Sequence, residues 1–327
     1  MLKWLKLCFF AFFFIMSMVD NLTFCFKIDD YLNLDNNSTT SLLTLFNMTR
    51  TVGSKNSKLT RDIITNFYNN LPLRWKIETH TFKKSVHEFN NLIITLPYYN
   101  DYKTSLFLHP MCDSIDLAND LILAAHYDTL STIPNFVGAV DSAASMSILL
   151  YLSLYISENA MDTRKRNIKI IFFDGEEAFD HWTEDDSLYG SKELANIYRL
   201  NNLTEKIDLF ILLDLLGSSE NDGFIYNYFN DSRIYYDMLL LAEAEIREST
   251  SFSLLDSKYD VINLSIEDDH VPFKRNGVKC LHLIPYPFPS FWHTAADNFE
   301  HLDSKAIKHM ALLLINFTIS FVSKTKI

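Results

Sequence analysis

Four runs of strand length in this chain, residues 121–125, 168–173, 207–213 and 278–284, are largely apolar from end to end. A strand with one face in water alternates apolar and polar residues, so these runs describe strands covered on both faces. Between them the apolar spacing turns helical, over 143–157, 188–198 and 232–247, and again after the last run over 304–321. Two earlier β-rich runs, 75–82 and 91–96, follow a helical stretch that begins near Lys58 and ends near Asn70. Strand and helix in alternation predict an α/β fold: a three-layer α/β/α sandwich around a mixed, largely parallel central sheet. With 327 residues, 48% of them hydrophobic, the chain is long enough to bury one large core.

In open α/β sheets ligands collect at the carboxyl ends of the strands. The run 121–125 ends in His126-Tyr127-Asp128, and 168–173 ends in Asp174-Gly175-Glu176-Glu177. The run 207–213 ends in Asp214, and 278–284 leads on to Trp292-His293-Thr294. Asp141-Ser142-Ala143 opens a helix, where exposed N–H groups favour a carboxylate. Each group has a plain structural alternative: Asp141 a helix cap, Asp174 a turn residue, His126 a satisfied polar group at a strand end. Imidazoles and carboxylates gathered at successive strand ends are instead the donor set of a catalytic zinc site. In Glu176-Glu177 neighbouring side chains point apart, so one can hold metal while the other faces a substrate. Phe172-Phe173 and Ala178-Phe179 flank the pair and imply burial, and a buried carboxylate needs a metal or a shared proton.

These residues resemble the zinc aminopeptidase superfamily, and within it most closely the glutaminyl-peptide cyclotransferases. The resemblance is carried by Phe136-Val137-Gly138-Ala139-Val140-Asp141-Ser142-Ala143, Phe172-Phe173-Asp174-Gly175-Glu176-Glu177-Ala178-Phe179 and His181-Trp182, followed by Asp186-Ser187-Leu188-Tyr189-Gly190-Ser191. It continues in Leu212-Leu213-Asp214-Leu215-Leu216-Gly217, Glu267-Asp268-Asp269-His270-Val271-Pro272-Phe273, His282-Leu283-Ile284-Pro285-Tyr286-Pro287-Phe288-Pro289 and Trp292-His293-Thr294, and spans roughly residues 48–323. It implies one zinc per chain, held by Asp141, Glu177 and His293, with Glu176 as general acid/base. Asp214 and Asp268 would form a carboxylate network with Glu176, and Trp182, Phe288 and Trp292 would line the substrate pocket. The implied reaction closes an N-terminal glutamine of a peptide onto its own α-amine, giving pyroglutamate and ammonia. Zinc would polarise the γ-carbonyl, and Glu176 would move the proton from amine to leaving group. The sequence departs from the family where many animal members carry a cysteine pair: Ala125 and Met146 stand in those places. The segment between His126 and Asp141 is also short.

The rival reading is a di-zinc aminopeptidase, with His126, Asp141 and Asp214 holding a second metal beside Glu177 and His293. Ligand inventory alone does not decide between the two. The stretch after the glutamate pair favours the cyclase, because Ala178-Phe179-Asp180-His181-Trp182 and an acidic insertion intervene before Gly190-Ser191. A receptor ectodomain that kept the fold and lost its metal would be expected to lose the base, yet Glu176 and every ligand are present.

A net charge of −12 argues against nucleic acid as a partner. Residues 1–26 read as a secretory signal, with Lys3 and Lys6 before a short apolar run from Leu7 to Val19. That run is short of the roughly 20 residues a membrane span takes. A cleaved signal and a secreted or lumenal protein are expected, with membrane attachment only through an uncleaved N-terminus. Sequons at Asn21, Asn36, Asn37, Asn47, Asn202, Asn230, Asn263 and Asn316 accord with secretion. A polar leader is expected over 27–47 and a single catalytic domain over 48–327, acting as a monomer. Of four cysteines only Cys112 and Cys280 lie well inside the domain, enough for one bridge or none.

Overall fold

The computed structural model describes residues 28–98, 119–159 and 164–324, apart from 36, 221, 222, 251, 252, 259, 260 and 263. The main elements are α1 (Lys55–Asn69), β1 (Lys76–Lys84), β2 (His87–Leu96), β3 (Asp120–His126), α2 (Ala144–Glu158), β4 (Asn167–Phe173), α3 (Tyr189–Leu200) and β5 (Ile207–Leu213). They continue with β6 (Phe224–Ile225), α4 (Arg233–Thr250), α5 (His270–Arg275), β7 (Cys280–Leu283), β8 (Pro285–Tyr286) and α6 (Ser304–Ser323). Six strands form the central sheet in the order β1-β2-β4-β3-β5-β7. The pairs β4/β3, β3/β5 and β5/β7 are parallel, and the hairpin β1/β2 adds to β4 antiparallel. β6 and β8 pair separately as a short antiparallel ribbon.

The apolar runs alternate between two cores, as strands covered on both faces must. Leu121, Leu123 and Ala125 of β3, with Leu209, Ile211 and Leu213 of β5, enter the larger core, formed with α1, α2, α4 and α6. Ile122, Ala124, Phe210 and Leu212 enter the smaller core on the opposite face, closed by α3 and by Phe273 of α5. This is the expected α/β/α sandwich, and each expected strand and helix forms within a few residues of its sequence boundaries. The short helix α5 carries too few residues for a periodic signal and was not expected. The chain leaves β3 towards β4 on one side and leaves β5 towards β7 on the other. A switch point, where the strand order reverses, therefore opens a crevice at the carboxyl ends of β3 and β5.

The segment expected as a polar leader, 27–47, packs onto the domain from Ile28 onward. Ile28, Leu32, Leu42, Leu43 and Phe46 are buried in the larger core, and Asp29 pairs with Lys308 of α6. Five apolar side chains spread among polar ones give no helical or strand period, which is why the sequence read as unpatterned. The signal-like residues 1–26, Cys112, and the sequons at Asn21, Asn36 and Asn263 lie outside the described residues. Asn37, Asn47, Asn202 and Asn230 are exposed, whereas Asn316 is half-buried on α6. Cys280 is a buried thiol on β7. The apolar helix α6 packs against α2 and α4.

Arg50 is fully buried, and no motif pointed to it. Its guanidinium donates to the carbonyls of Phe46, Met48, Tyr127, Val137 and Gly138, and its own N–H donates to Thr129 Oγ1. One side chain thus ties together the segment before α1, the end of β3 and the loop that leads to Asp141. Burial lowers its pKa to about 10, although Asp128, Asp141 and Asp297 pull the other way. Arg50→Met should leave those carbonyls without a donor and cost at least about 3 kcal/mol of stability. Arg50→Lys should recover only part, since an ammonium has three donors and no planar fork. Urea unfolding measures both, and an Arg50→Met loss under about 1 kcal/mol would show that water replaces the guanidinium.

Candidate active site

The crevice at the switch point gathers His126, Asp141, Glu176, Glu177, Asp214, Asp268 and His293, whereas Asp174 turns away to accept the N–H of Asn90 on β2. His126 closes β3, and its Nε2 lies 3.0 Å from Asp141 Oδ1 and 3.4 Å from Asp214 Oδ1. His293 Nε2 lies 3.4 Å from Asp141 Oδ2 and 3.6 Å from Glu177 Oε2. Asp141 therefore shows one oxygen to each imidazole. Two sets of three ligand atoms, Asp141–Glu177–His293 and His126–Asp141–Asp214, each fall within 4.8 Å of one another.

Local structure delivers these groups. Asp141 was expected at a helix start, but it lies in an irregular turn before α2, with φ −114° and ψ 70°. Its side chain makes no cap and turns into the crevice instead. Gly138 enters that turn at φ +57°, where an added Cβ would lie 2.0 Å from the Asp141 carbonyl oxygen. Asp297 accepts the N–H groups of Ala139 and Val140 at 2.8 and 2.9 Å, joining this turn to the loop that carries His293. At the end of β4, Gly175 has φ +72° and passes so close to Phe89 that a Cβ would meet its ring at 2.4 Å. Asp128 then accepts Glu176 N–H at 3.1 Å and Glu177 N–H at 3.2 Å, one on each oxygen. The sequence marked Asp128 only as part of a strand end and did not mark Asp297.

The two glutamates separate as expected. Glu177 turns to Asp141 and His293, while Glu176 lines a cavity of about 540 Å³ together with Asp141, Asp214, Asp268 and His293. Trp182, Phe288 and Trp292 line the same cavity, with Leu264, Ile266 and Tyr286. Phe288 packs edge-on to Trp292 at 4.9 Å, and Trp292 stacks on His293 at 4.0 Å. Asp268 accepts a hydrogen bond from His282 Nε2 at 2.7 Å, so one of its oxygens is held from behind. A third set of three possible ligands, Asp268, His270 and His282, is wholly buried.

Burial is the largest influence on this charge set. It pushes the Glu176 carboxyl well above its usual range; Glu177, Asp268 and Asp269 add to the shift, and His126 opposes it. Glu177 is raised in the same way, with Asp141 the leading charge. Asp214 is pushed up to about 8 by burial and by Asp268 and Asp141, against the pull of His126. Burial would also raise Asp141, but His126 and His293 bring it below the ordinary carboxylate range. Both oxygens of Glu177 are buried without a hydrogen-bond partner. A carboxylate in that condition calls for a cation. The donor set of two carboxylates and one imidazole fits a metal ion.

An α/β/α sandwich with imidazole and carboxylate donors at its switch point defines a metallo-aminopeptidase-like protein. The sequence profile described as peptidase family M28 matches residues 108–318. The chain belongs to that family and, within it, to the glutaminyl-peptide cyclotransferases. The glutaminyl-peptide cyclotransferase of Drosophila melanogaster is 31% identical over 84% of this chain and 77% of its own length. The uncharacterized protein YFR018C of Saccharomyces cerevisiae is 36% identical over 87% of this chain and 84% of its own. Among solved structures, the Macrostomum lignano glutaminyl cyclase superposes with a TM-score of 0.71 at 27% identity, covering 88% of this chain and 89% of that one.

A carboxyl group raised in the folded state stabilises the protein below its unfolded pKa and loses that contribution as pH rises through the folded one. Metal-free protein should therefore lose stability between about pH 4 and about pH 8, the window set by Asp214 with Glu176 and Glu177 shifted the same way. Bound metal removes the need for those protons, so the Tm gap between metal-loaded and chelated protein should widen by several degrees across that window. Calorimetry on both forms checks this, and a gap independent of pH would show that the carboxylates are neutralised in some other way.

Proposed function

We propose that this chain is a glutaminyl-peptide cyclotransferase that uses one zinc ion, with Asp141, Glu177 and His293 as ligands and Glu176 as general acid/base. The observation that carries the reading is the separation of the two adjacent glutamates. Glu177 is buried without a hydrogen-bond partner beside Asp141 and His293, while Glu176 opens into an aromatic-walled cavity. Zinc bound there would act as a Lewis acid on the γ-carboxamide of the N-terminal glutamine.

The remaining work belongs to the chain. Glu176 takes a proton from the attacking α-amine and returns one to the departing ammonia, a role that suits a carboxyl whose pKa is raised by burial. Asp214 and Asp268 line the cavity beside it and complete the carboxylate network of this reading. Trp182, Phe288 and Trp292 suit an uncharged carboxamide and exclude water from a step in which water would compete. Nucleophile and electrophile lie in one residue, so orientation is the main contribution of the walls. The signal-like N-terminus and the exposed sequons support a secreted or lumenal protein.

One observation favours a second reading. His126, Asp141 and Asp214 also converge within 4.8 Å, a donor set for a second metal and for peptide hydrolysis. Metal counting and product analysis separate the two readings. The cyclase reading expects about one zinc per chain, ammonia released from an N-terminal glutaminyl peptide, and no turnover once its α-amine is acetylated. Glu176→Gln should keep the metal and lose about 10²–10⁴-fold in kcat, whereas Glu177→Gln should lose the metal itself. Two tightly bound metals, or cleavage of the bond after glutamine, would overturn the reading.

A further inference from the structure

The cavity has a closed end and an open end, and they differ in character. Asp141, Glu176, Asp214 and Asp268 are buried at its base. Trp182, Tyr286 and Trp292 are 39%, 39% and 36% exposed, and with Ser265 and Glu267 they form its mouth. Five carboxylates line the cavity, and no Lys or Arg among the described residues does. Four of the five are committed to the buried cluster, which leaves Glu267 as the exposed one.

Glu267 is held in place from two sides. Its Oε2 accepts the indole N–H of Trp182 at 3.3 Å, and the next residue, Asp268, is tied to His282 at 2.7 Å. The indole edge is thus turned to Glu267, which leaves the ring face to the cavity mouth. Lys192 feels the charge of Glu267, but its ammonium is engaged by the carbonyls of Glu184 and Ser187. A carboxylate held at the edge of an indole whose ring lines the same cavity mouth offers a cation a charge partner and an aromatic surface together.

The geometry points to Glu267, with Trp182, as the determinant that reads the residue following the N-terminal glutamine and favours lysine or arginine there. The inference rests on the cyclase reading. With the glutamine side chain at the metal ligands and its α-amine at Glu176, the following residue can extend only towards the mouth. There its stem lies along Trp182 and Ile266, and its charge reaches Glu267.

The test compares kcat/KM for ammonia release from Gln-Lys, Gln-Ala and Gln-Glu peptides, in native enzyme, Glu267→Gln and Glu267→Lys. Native enzyme should prefer Gln-Lys over Gln-Glu by about fivefold or more, the scale of one partly exposed ion pair assisted by an aromatic face. That ratio should fall towards one in Glu267→Gln, invert in Glu267→Lys, and shrink in native enzyme at about 0.5 M salt. Equal ratios in all three proteins, with Gln-Ala still cyclised, overturn the role of Glu267 and leave the cyclase reading intact. No ammonia from any native reaction overturns the cyclase reading and this inference with it.

Discussion

The organising constraint of this structure is negative charge gathered where water is scarce. Asp128, Asp141, Glu176, Glu177, Asp214, Asp268 and Asp269 are all buried around one crevice. Isolated, each would cost several kcal/mol to bury in charged form. The protein meets the demand in different ways at different residues. Asp128 is satisfied by two backbone N–H groups, Asp141 by two imidazoles, and Asp268 by His282 and the Asp269 N–H. Glu177 has no hydrogen-bond partner and only the His293 imidazole, shared with Asp141, 3.6 Å away, and Glu176 and Asp214 answer with raised pKa values. A metal ion would resolve the first shortfall, and bound protons answer the second. Catalytic capacity follows from the same imbalance, since a carboxyl whose pKa is raised by burial takes up a proton more readily and can give it back.

The fold makes this concentration inevitable once the strand order is set. Four parallel strands send their carboxyl ends to one edge, and the switch between β3 and β5 keeps connecting segments out of the middle of that edge. Two glycines then let the chain turn sharply just before each acidic ligand, Gly138 ahead of Asp141 and Gly175 ahead of Glu177. Arg50 supplies the opposite kind of control. It binds carbonyls rather than carboxylates, so it fixes the loops while its charge acts on Asp128, Asp141 and Asp297 from a distance.

The strands and their acidic ends were legible because both are local signals: a run of apolar residues and whatever follows it. Glu176, Glu177 and Asp214 follow strands directly and, with Asp141 at a helix start and His293 after the last strand, meet in the crevice, whereas Asp268, Trp182, Phe288 and Trp292, which line it, were expected only from the family resemblance. What escaped the sequence is non-local. A buried arginine looks like any surface arginine until the carbonyls from three segments converge on it. Asp297 resembles an ordinary loop aspartate until its partners at 139 and 140 are known. Residues 28–47 carry enough apolar side chains to anchor a segment and too few to show a period. Asp141 was placed at a helix start because Asp-Ser-Ala reads as a cap, yet the chain there spends its conformational freedom on aiming the carboxylate inward.

The clamp on the glutamate turn explains how one short sequence can serve two purposes. Asp128 holds the N–H of both Glu176 and Glu177, so the two peptide units cannot rotate independently, and their side chains are fixed to opposite sides. The proposed metal ligand and proton carrier thus share one backbone anchor. A hydrolase built on the same turn must admit a water molecule to the space between them. A cyclase must keep that space dry, because its nucleophile arrives on the substrate. Above the carboxylates the walls are aromatic, with Trp292 stacked on His293, Phe288 packed against Trp292, and Trp182 at the mouth. The shared crevice fixes where chemistry happens. These aromatic side chains, supplied by loops outside the sheet, shape the space above it.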